Sequence, residues 1–244
     1  MMRIWVAILF VFWPATPVSL QQDSTPSPAA KGQSGSSSPI DLELAKSYFD
    51  EARSLSESDA GALWGKPLAG PMLFVDPRSR FVVANQANKE SMLKADKGVF
   101  IGKLPANVPL ANTAFRWAGV HWSMLLWPLP MEKAERSIML MHESWHRIQA
   151  DLGLPSHDPV NNHLDTLEGR YWLQLEWRAL ARALASSDAD RRRAIEDALR
   201  FRRHRRDLFK GAAAQENALE LHEGLAEYTG IKLSSLPAAE QQRL

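Results

Sequence analysis

His142-Glu143-Ser144-Trp145-His146 lies inside the apolar-periodic run from Ile138 to Leu152, and reading that run as one helix decides the rest of the chain. At 3.6 residues per turn, His142 and His146 stand one above the other on a single face, close enough to share a metal ion. Glu143 projects beside them. The His-Glu-x-x-His pattern has a physical logic: two neutral imidazoles offer nitrogen lone pairs to zinc, and the adjacent carboxylate takes a proton from zinc-bound water. Ile138, Met141, Trp145, Ile148 and Leu152 recur at three- and four-residue steps and mark the buried side of this helix, which Gly153 and Pro155 end.

Outward from the motif, the two sides of the chain differ in pattern. Toward the C-terminus it reads as helix: from about Asn162 through Leu184, then after Ser187-Asp188, then from Leu219 to Tyr228 with Gly230 as a stop. Toward the N-terminus, between Leu68 and Pro130, the apolar runs are short: Met72–Val75, Phe81–Ala84, Val99–Ile101 and Val120–Trp127. Asp76-Pro77-Arg78-Ser79 suits a tight hairpin between the first two. These runs predict a sheet of about four or five strands. The last strand, Gly119 to Trp127, either offers an edge beside the metal helix for an extended substrate or is simply core; His121 on it reads as structural. A further helix starts at Asp41, with Leu44, Ala45, Tyr48, Phe49, Ala52 and Leu55 on one side. The expected class is therefore α+β. A small N-terminal mixed or antiparallel sheet packs on a mainly helical C-terminal part, which carries the His-Glu-x-x-His helix and a later glutamate-bearing helix.

The 244 residues, 45% hydrophobic and 23% charged, suit one catalytic domain, placed at residues 41–244. A net charge of +1 argues against a chain-wide basic field, and no nucleic-acid partner is expected. Zero cysteines exclude disulfides, thiolate zinc fingers and a cysteine nucleophile, so any metal is held by His and carboxylate. Met1-Met2-Arg3 followed by the apolar run Ile4 to Trp13 reads as a signal peptide over residues 1–20, or as an uncleaved anchor. Residues 21–40, rich in Ser, Pro, Gly and Gln, are the expected disordered linker. The protein is then secreted or periplasmic, or membrane-anchored through that N-terminal segment with its catalytic part outside the cytoplasm.

Two histidines leave a hydrolytic zinc one protein ligand short. A further histidine on the same helix is excluded, because the metzincin positions for Gly and His hold Gln149 and Leu152. Downstream carboxylates are Asp165, Glu168, Glu176, Glu220, Glu223 and Glu227. Glu223 and Glu227 lie one turn apart, a spacing that lets one carboxylate bind metal while the other accepts the free N–H of a metal-bound imidazole. Glu168, in Glu168-Gly-Arg-Tyr171 after the polar start Asn162-His-Leu-Asp165, is the other ligand candidate.

With its motif and the later stretch Glu223-Gly-Leu-Ala-Glu-Tyr228, the chain resembles the gluzincins, zinc metallopeptidases with a glutamate ligand on a later helix. The stretch is similar to the Glu-Gly-Phe-Ala-x-Tyr segment of their aminopeptidase branch. The resemblance implies that His142, His146 and Glu223 hold Zn2+, with Glu227 behind a ligand imidazole. It further implies an exported peptidase in which Glu143 assists attack of zinc-bound water on a peptide or protein substrate. The match covers the two helices only. His222 stands where that branch has Asn, and Glu223 follows His146 by 77 positions, far more than in that branch. Nothing resembles the Gly-x-Met-Glu-Asn strand that grips a free amino terminus, so aminopeptidase specificity is not implied.

A donor for the oxyanion is sought among His163, Arg170, Tyr171, His222 and Tyr228, since no Tyr or His follows Gly230. The ending Leu236-Pro-Ala-Ala-Glu-Gln-Gln-Arg-Leu244 reads as an interruption rather than a designed terminus. The basic run Arg191-Arg-Arg193 and Arg200-Phe-Arg-Arg-His-Arg-Arg206 reads as a solvated helix face. The non-enzymatic alternative is an exported helical interaction protein that keeps a structural or vestigial zinc site.

Overall fold

The computed structural model describes residues 38–155 and 160–241, so the expected signal or anchor (1–20) and nearly all of the expected linker (21–40) lie outside the described residues. Ile40, the last linker residue, is instead fully buried in the core. Asp41 then opens α1 (Leu42–Asp59): its carboxylate accepts the Glu43 and Leu44 backbone N–H groups at 3.0 and 3.1 Å, relieving donors that the first turn leaves unpaired. Ala45, Tyr48, Phe49 and Ala52 form its buried stripe, as the sequence spacing predicts.

Six strands follow: β1 (Met72–Val75), β2 (Phe81–Ala84), β3 (Lys94–Asp96), β4 (Val99–Lys103), β5 (Thr113–Trp117) and β6 (Val120–Leu126). Their spatial order is β3-β4-β2-β1-β6-β5. Neighbours are antiparallel except β1 and β6, which run parallel, so the sheet is mixed and the fold is α+β. The hairpin expected at Asp76 is present. The Asp76 carboxylate accepts the backbone N–H of Ser79 at 2.7 Å and also its hydroxyl, fixing the turn between β1 and β2.

β6 is an interior strand, paired with β1 on one side and β5 on the other, so the substrate-edge reading of Gly119–Trp127 is incorrect. The edge on that side of the sheet belongs to β5. Along β6 the pleat sends Val120, Trp122 and Met124 into one apolar cluster and Leu125 into another, beneath the helices. Ser123, on the helix side, donates its hydroxyl to the backbone oxygen of Glu143 at 3.0 Å and so ties the sheet to the motif.

The motif helix α2 (Lys133–Gln149) is seated by its apolar stripe. Leu140, Met141 and Trp145 are wholly buried and Ile148 nearly so, whereas Ile138 and Leu152 are only half-buried. Burial of this order contributes roughly 1.5–3 kcal/mol per large apolar side chain. Arg136 adds a polar tie to α1, bonding Glu51 at 2.8 Å while its guanidinium lies 4.4 Å from the Tyr48 ring centroid. After α2 the chain tightens into a 3-10 turn (Ala150–Leu152), and Gly153 ends it with φ 73°.

The C-terminal part comprises a 3-10 turn (Asn162–Asp165), α3 (Leu167–Ala185), α4 (Asp188–Leu208), α5 (Ala212–Leu219), a π-helical turn (Glu220–Gly224), α6 (Leu225–Leu233) and α7 (Ala238–Gln241). The helix expected from Asn162 is thus divided, with Thr166 capping α3 through its hydroxyl to the Gly169 N–H at 3.0 Å. Gly230 does not stop the last motif-bearing helix, which runs on to Leu233. A Cβ at Gly230 would lie 2.6 Å from the Ile138 backbone oxygen, so glycine serves close helix contact there, not termination. Among the described residues no helix is long and apolar enough to cross a membrane.

Candidate metal centre

α2 and the π-turn–α6 segment meet face to face, and the contact brings together three side chains that span 81 positions of sequence, 142 to 223. The Nε2 atoms of His142 and His146 are 3.1 Å apart, and Glu223 Oε2 lies 3.3 Å from the first and 3.7 Å from the second. A tetrahedral ion with ligand bonds of about 2.0–2.2 Å separates its donor atoms by roughly 3.3–3.6 Å. The observed separations bracket that range, so the residues present fit such an ion. Among the described residues this is the one group of three His, Cys, Asp or Glu donors that meets within 4.8 Å, and Glu168, exposed on α3, does not belong to it.

The π turn carries Glu223. Its wider winding interrupts the α-helical register between α5 and α6, a feature that often accompanies functional sites. Glu227, one turn on, reaches the other nitrogen of the same ring: its Oε2 is 3.1 Å from His142 Nδ1. His142 is thus held between two carboxylates. Burial alone would lower its pKa, but the hydrogen bonds to Glu223 and Glu227 outweigh it and raise the value to about 10. Glu223 has its pKa held well below the usual carboxylate range, because the bonds and charges of both imidazoles outweigh its desolvation.

Glu143 is 6% exposed, and its Oε2 is buried without a hydrogen-bond partner among the described residues. Burial pushes its pKa up, against the pull of His142 and His146. A carboxylate in this state accepts a proton readily. The Glu223 side chain is 41% exposed, whereas the His146 side chain is 9% exposed and Glu143 is buried.

Of the donors considered from sequence, only His222 reaches the centre, with Nε2 3.3 Å from Glu223 Oε1. His163 is buried elsewhere against Glu216 at 2.8 Å, Arg170 bonds the backbone oxygens of Leu164 and Asp165, and Tyr171 and Tyr228 are exposed. Sequence reasoning missed Gln149, which treats both flanks of the centre. Its Oε1 lies 3.1 Å from His146 Nδ1 and 3.0 Å from His222 Nδ1. The sequence signal was only its position, three residues after His146 on the same side of the helix.

The basic run is a solvated face only in part: Arg191, Arg192, Arg193, Arg200 and Arg203 are exposed, but Arg202, Arg205 and Arg206 turn inward. Arg205 is 1% exposed and bonds Glu176 at 2.7 Å and Glu216 at 2.6 Å, Arg206 bonds Glu216 at 2.7 Å, and Arg202 bridges Glu176 and Glu220, each at 2.7 Å. These bonds lock α4 to α3 and to the segment that leads into Glu223. Comparison with protein-family models, with curated proteins and with solved structures finds no match.

Proposed function

We propose that this chain is a zinc-dependent hydrolase of gluzincin-like design that cleaves peptide bonds. The observation that carries this reading is the meeting of His142, His146 and Glu223 at tetrahedral ligand spacing with the buried Glu143 beside them. A zinc ion held there would supply Lewis acidity, which acidifies water and polarises a carbonyl oxygen. Glu143 would take the proton from the attacking water and pass it to the leaving nitrogen. Glu227 accepts the Nδ1–H of His142 and so keeps the Nε2 lone pair directed at the centre.

The sheet supports a peptide as substrate. Ala114 of β5 pairs with Ser123, whose hydroxyl holds the Glu143 backbone, so the edge of β5 lies one strand beyond the motif. Such an edge pairs with any extended backbone regardless of side chains. On the reading of residues 1–20 as a signal or anchor, the activity is extracytoplasmic.

The test is hydrolysis of a peptide library by the zinc-loaded full chain and by its Glu143→Gln variant. Turnover by the parent, abolished by chelator and reduced by orders of magnitude in the variant with zinc retained, supports the reading. Zinc binding without turnover in either protein contradicts it and leaves the structural-zinc interaction protein as the account of the chain.

A further inference from the structure

Gln149 is fully buried at the last position of α2, where an amide is costly unless its polar atoms are engaged. All are engaged. Its Nε2 donates to the Pro155 backbone oxygen, which fixes the amide orientation and leaves Oε1 as the acceptor. That acceptor faces Nδ1 of His146 at 3.1 Å and Nδ1 of His222 at 3.0 Å, so both rings present N–H there. Each ring then turns its Nε2 toward the centre. For His146, Nε2 converges with His142 and Glu223; for His222, Nε2 lies 3.3 Å from Glu223 Oε1, the carboxylate oxygen opposite the one that meets the two ligand histidines. The two rings stand side by side, with centroids 4.7 Å apart.

We propose that Gln149 and His222 are positioning residues that close an outer ring, His146–Gln149–His222–Glu223, and set metal affinity by orienting two ligands that belong to different helices. This deepens the zinc-site reading and rests on it. His146 is oriented as a ligand nitrogen by the acceptor behind it, as Glu227 orients His142. His222 Nε2 stands against Oε1 of Glu223 and, when both ring nitrogens carry protons, donates to it, which leaves Oε2 as the oxygen directed at the centre. A glycine at 149 would leave Nδ1 of His146 without this acceptor.

The experiment measures zinc dissociation constants by competition with a chromophoric chelator, on the full chain and on Gln149→Leu, Gln149→Glu and His222→Phe. Thermal unfolding of the metal-free proteins and the visible spectrum of the Co2+-loaded forms are recorded alongside. Gln149→Leu is expected to weaken zinc roughly 10- to 100-fold and to alter the Co2+ bands, with Gln149→Glu, which keeps the acceptor but loses the donor to Pro155, weakened less than Gln149→Leu. His222→Phe is expected to weaken zinc about 10-fold, and the Gln149→Leu/His222→Phe double variant to lose less than the product of the single losses, since both act through one ring. Parental affinity and spectrum in Gln149→Leu and His222→Phe would overturn the ring while leaving the zinc site standing. Should Gln149→Leu fail to fold, His222→Phe decides alone: unchanged affinity overturns the ring. No zinc binding by the parent would remove the site and the ring together.

Discussion

Glu227 Oε2 lies 3.1 Å from His142 Nδ1, on the opposite side of the ring from Glu223 Oε2 at 3.3 Å from Nε2, so two carboxylates one turn apart clasp one imidazole. The pair has separate duties in the proposed centre, one as ligand and one as the acceptor that fixes the tautomer. Glu227→Ala should therefore weaken zinc binding about 10- to 100-fold without abolishing it, whereas Glu223→Ala should remove it. Equal losses in the two variants, by chelator competition, would contradict this division.

Zinc binding should release a proton. Bonds to Glu223 and Glu227 raise His142 to about 10 in the metal-free chain, above its ordinary 6.5, and a ligand nitrogen must be deprotonated. A raised folded-state pKa means that this group stabilises the metal-free fold fully below pH 6.5 and loses that contribution as pH rises through about 10. Between those values calorimetry in buffers of different ionisation enthalpy should show about one proton released per zinc, with affinity rising with pH. Binding that is independent of buffer would refute the linkage.

The ion network around Glu216 should fail in acid. Burial opposes ionisation, but Arg205, Arg206 and His163 together lower its pKa from 4.5 to about 2. With a depressed folded-state value, the stabilisation is present above pH 4.5 and disappears as pH falls through about 2. Glu216→Gln should be less stable than the parent at neutral pH, with the gap in denaturant unfolding closing across that acid range. Arg205→Met, which leaves Glu176 and Glu216 buried without their shared partner, should cost about 3–5 kcal/mol.

Gly230→Ala should force α6 off α2, because the added Cβ meets the Ile138 backbone oxygen at 2.6 Å. A loss of about 1–3 kcal/mol in unfolding, with weaker zinc binding because Glu227 rides on the same helix, is expected. Unchanged stability would show that the contact relaxes freely.

Periodicity made the helices and four strands legible, because their apolar residues repeat at 3.6 or run continuously. It did not show β3, whose Lys94-Ala95-Asp96 offers no buried side chain, or β5, where Arg116 interrupts the pattern. Nor did it show that β6 is interior, since that depends on its parallel pairing with β1 across the intervening residues 76–119. Local sequence carries no such term. At the centre, His142, His146 and Glu223 were legible as residue types whose chemistry is specific, while Gln149 was not, because a glutamine becomes informative only once its partners are known. Arg205 misled for a related reason: a charge run predicts solvent unless the carboxylates that face it, here Glu176 and Glu216, are identified.

The central claim is that His142, His146 and Glu223 together bind one zinc ion, and elemental analysis of the purified full chain tests it most directly. One zinc per chain is expected in the parent and in Glu168→Ala, with less than about a tenth of that retained in His146→Ala and in Glu223→Ala. A parent without zinc, or a Glu223→Ala variant that keeps it in full, would contradict the account.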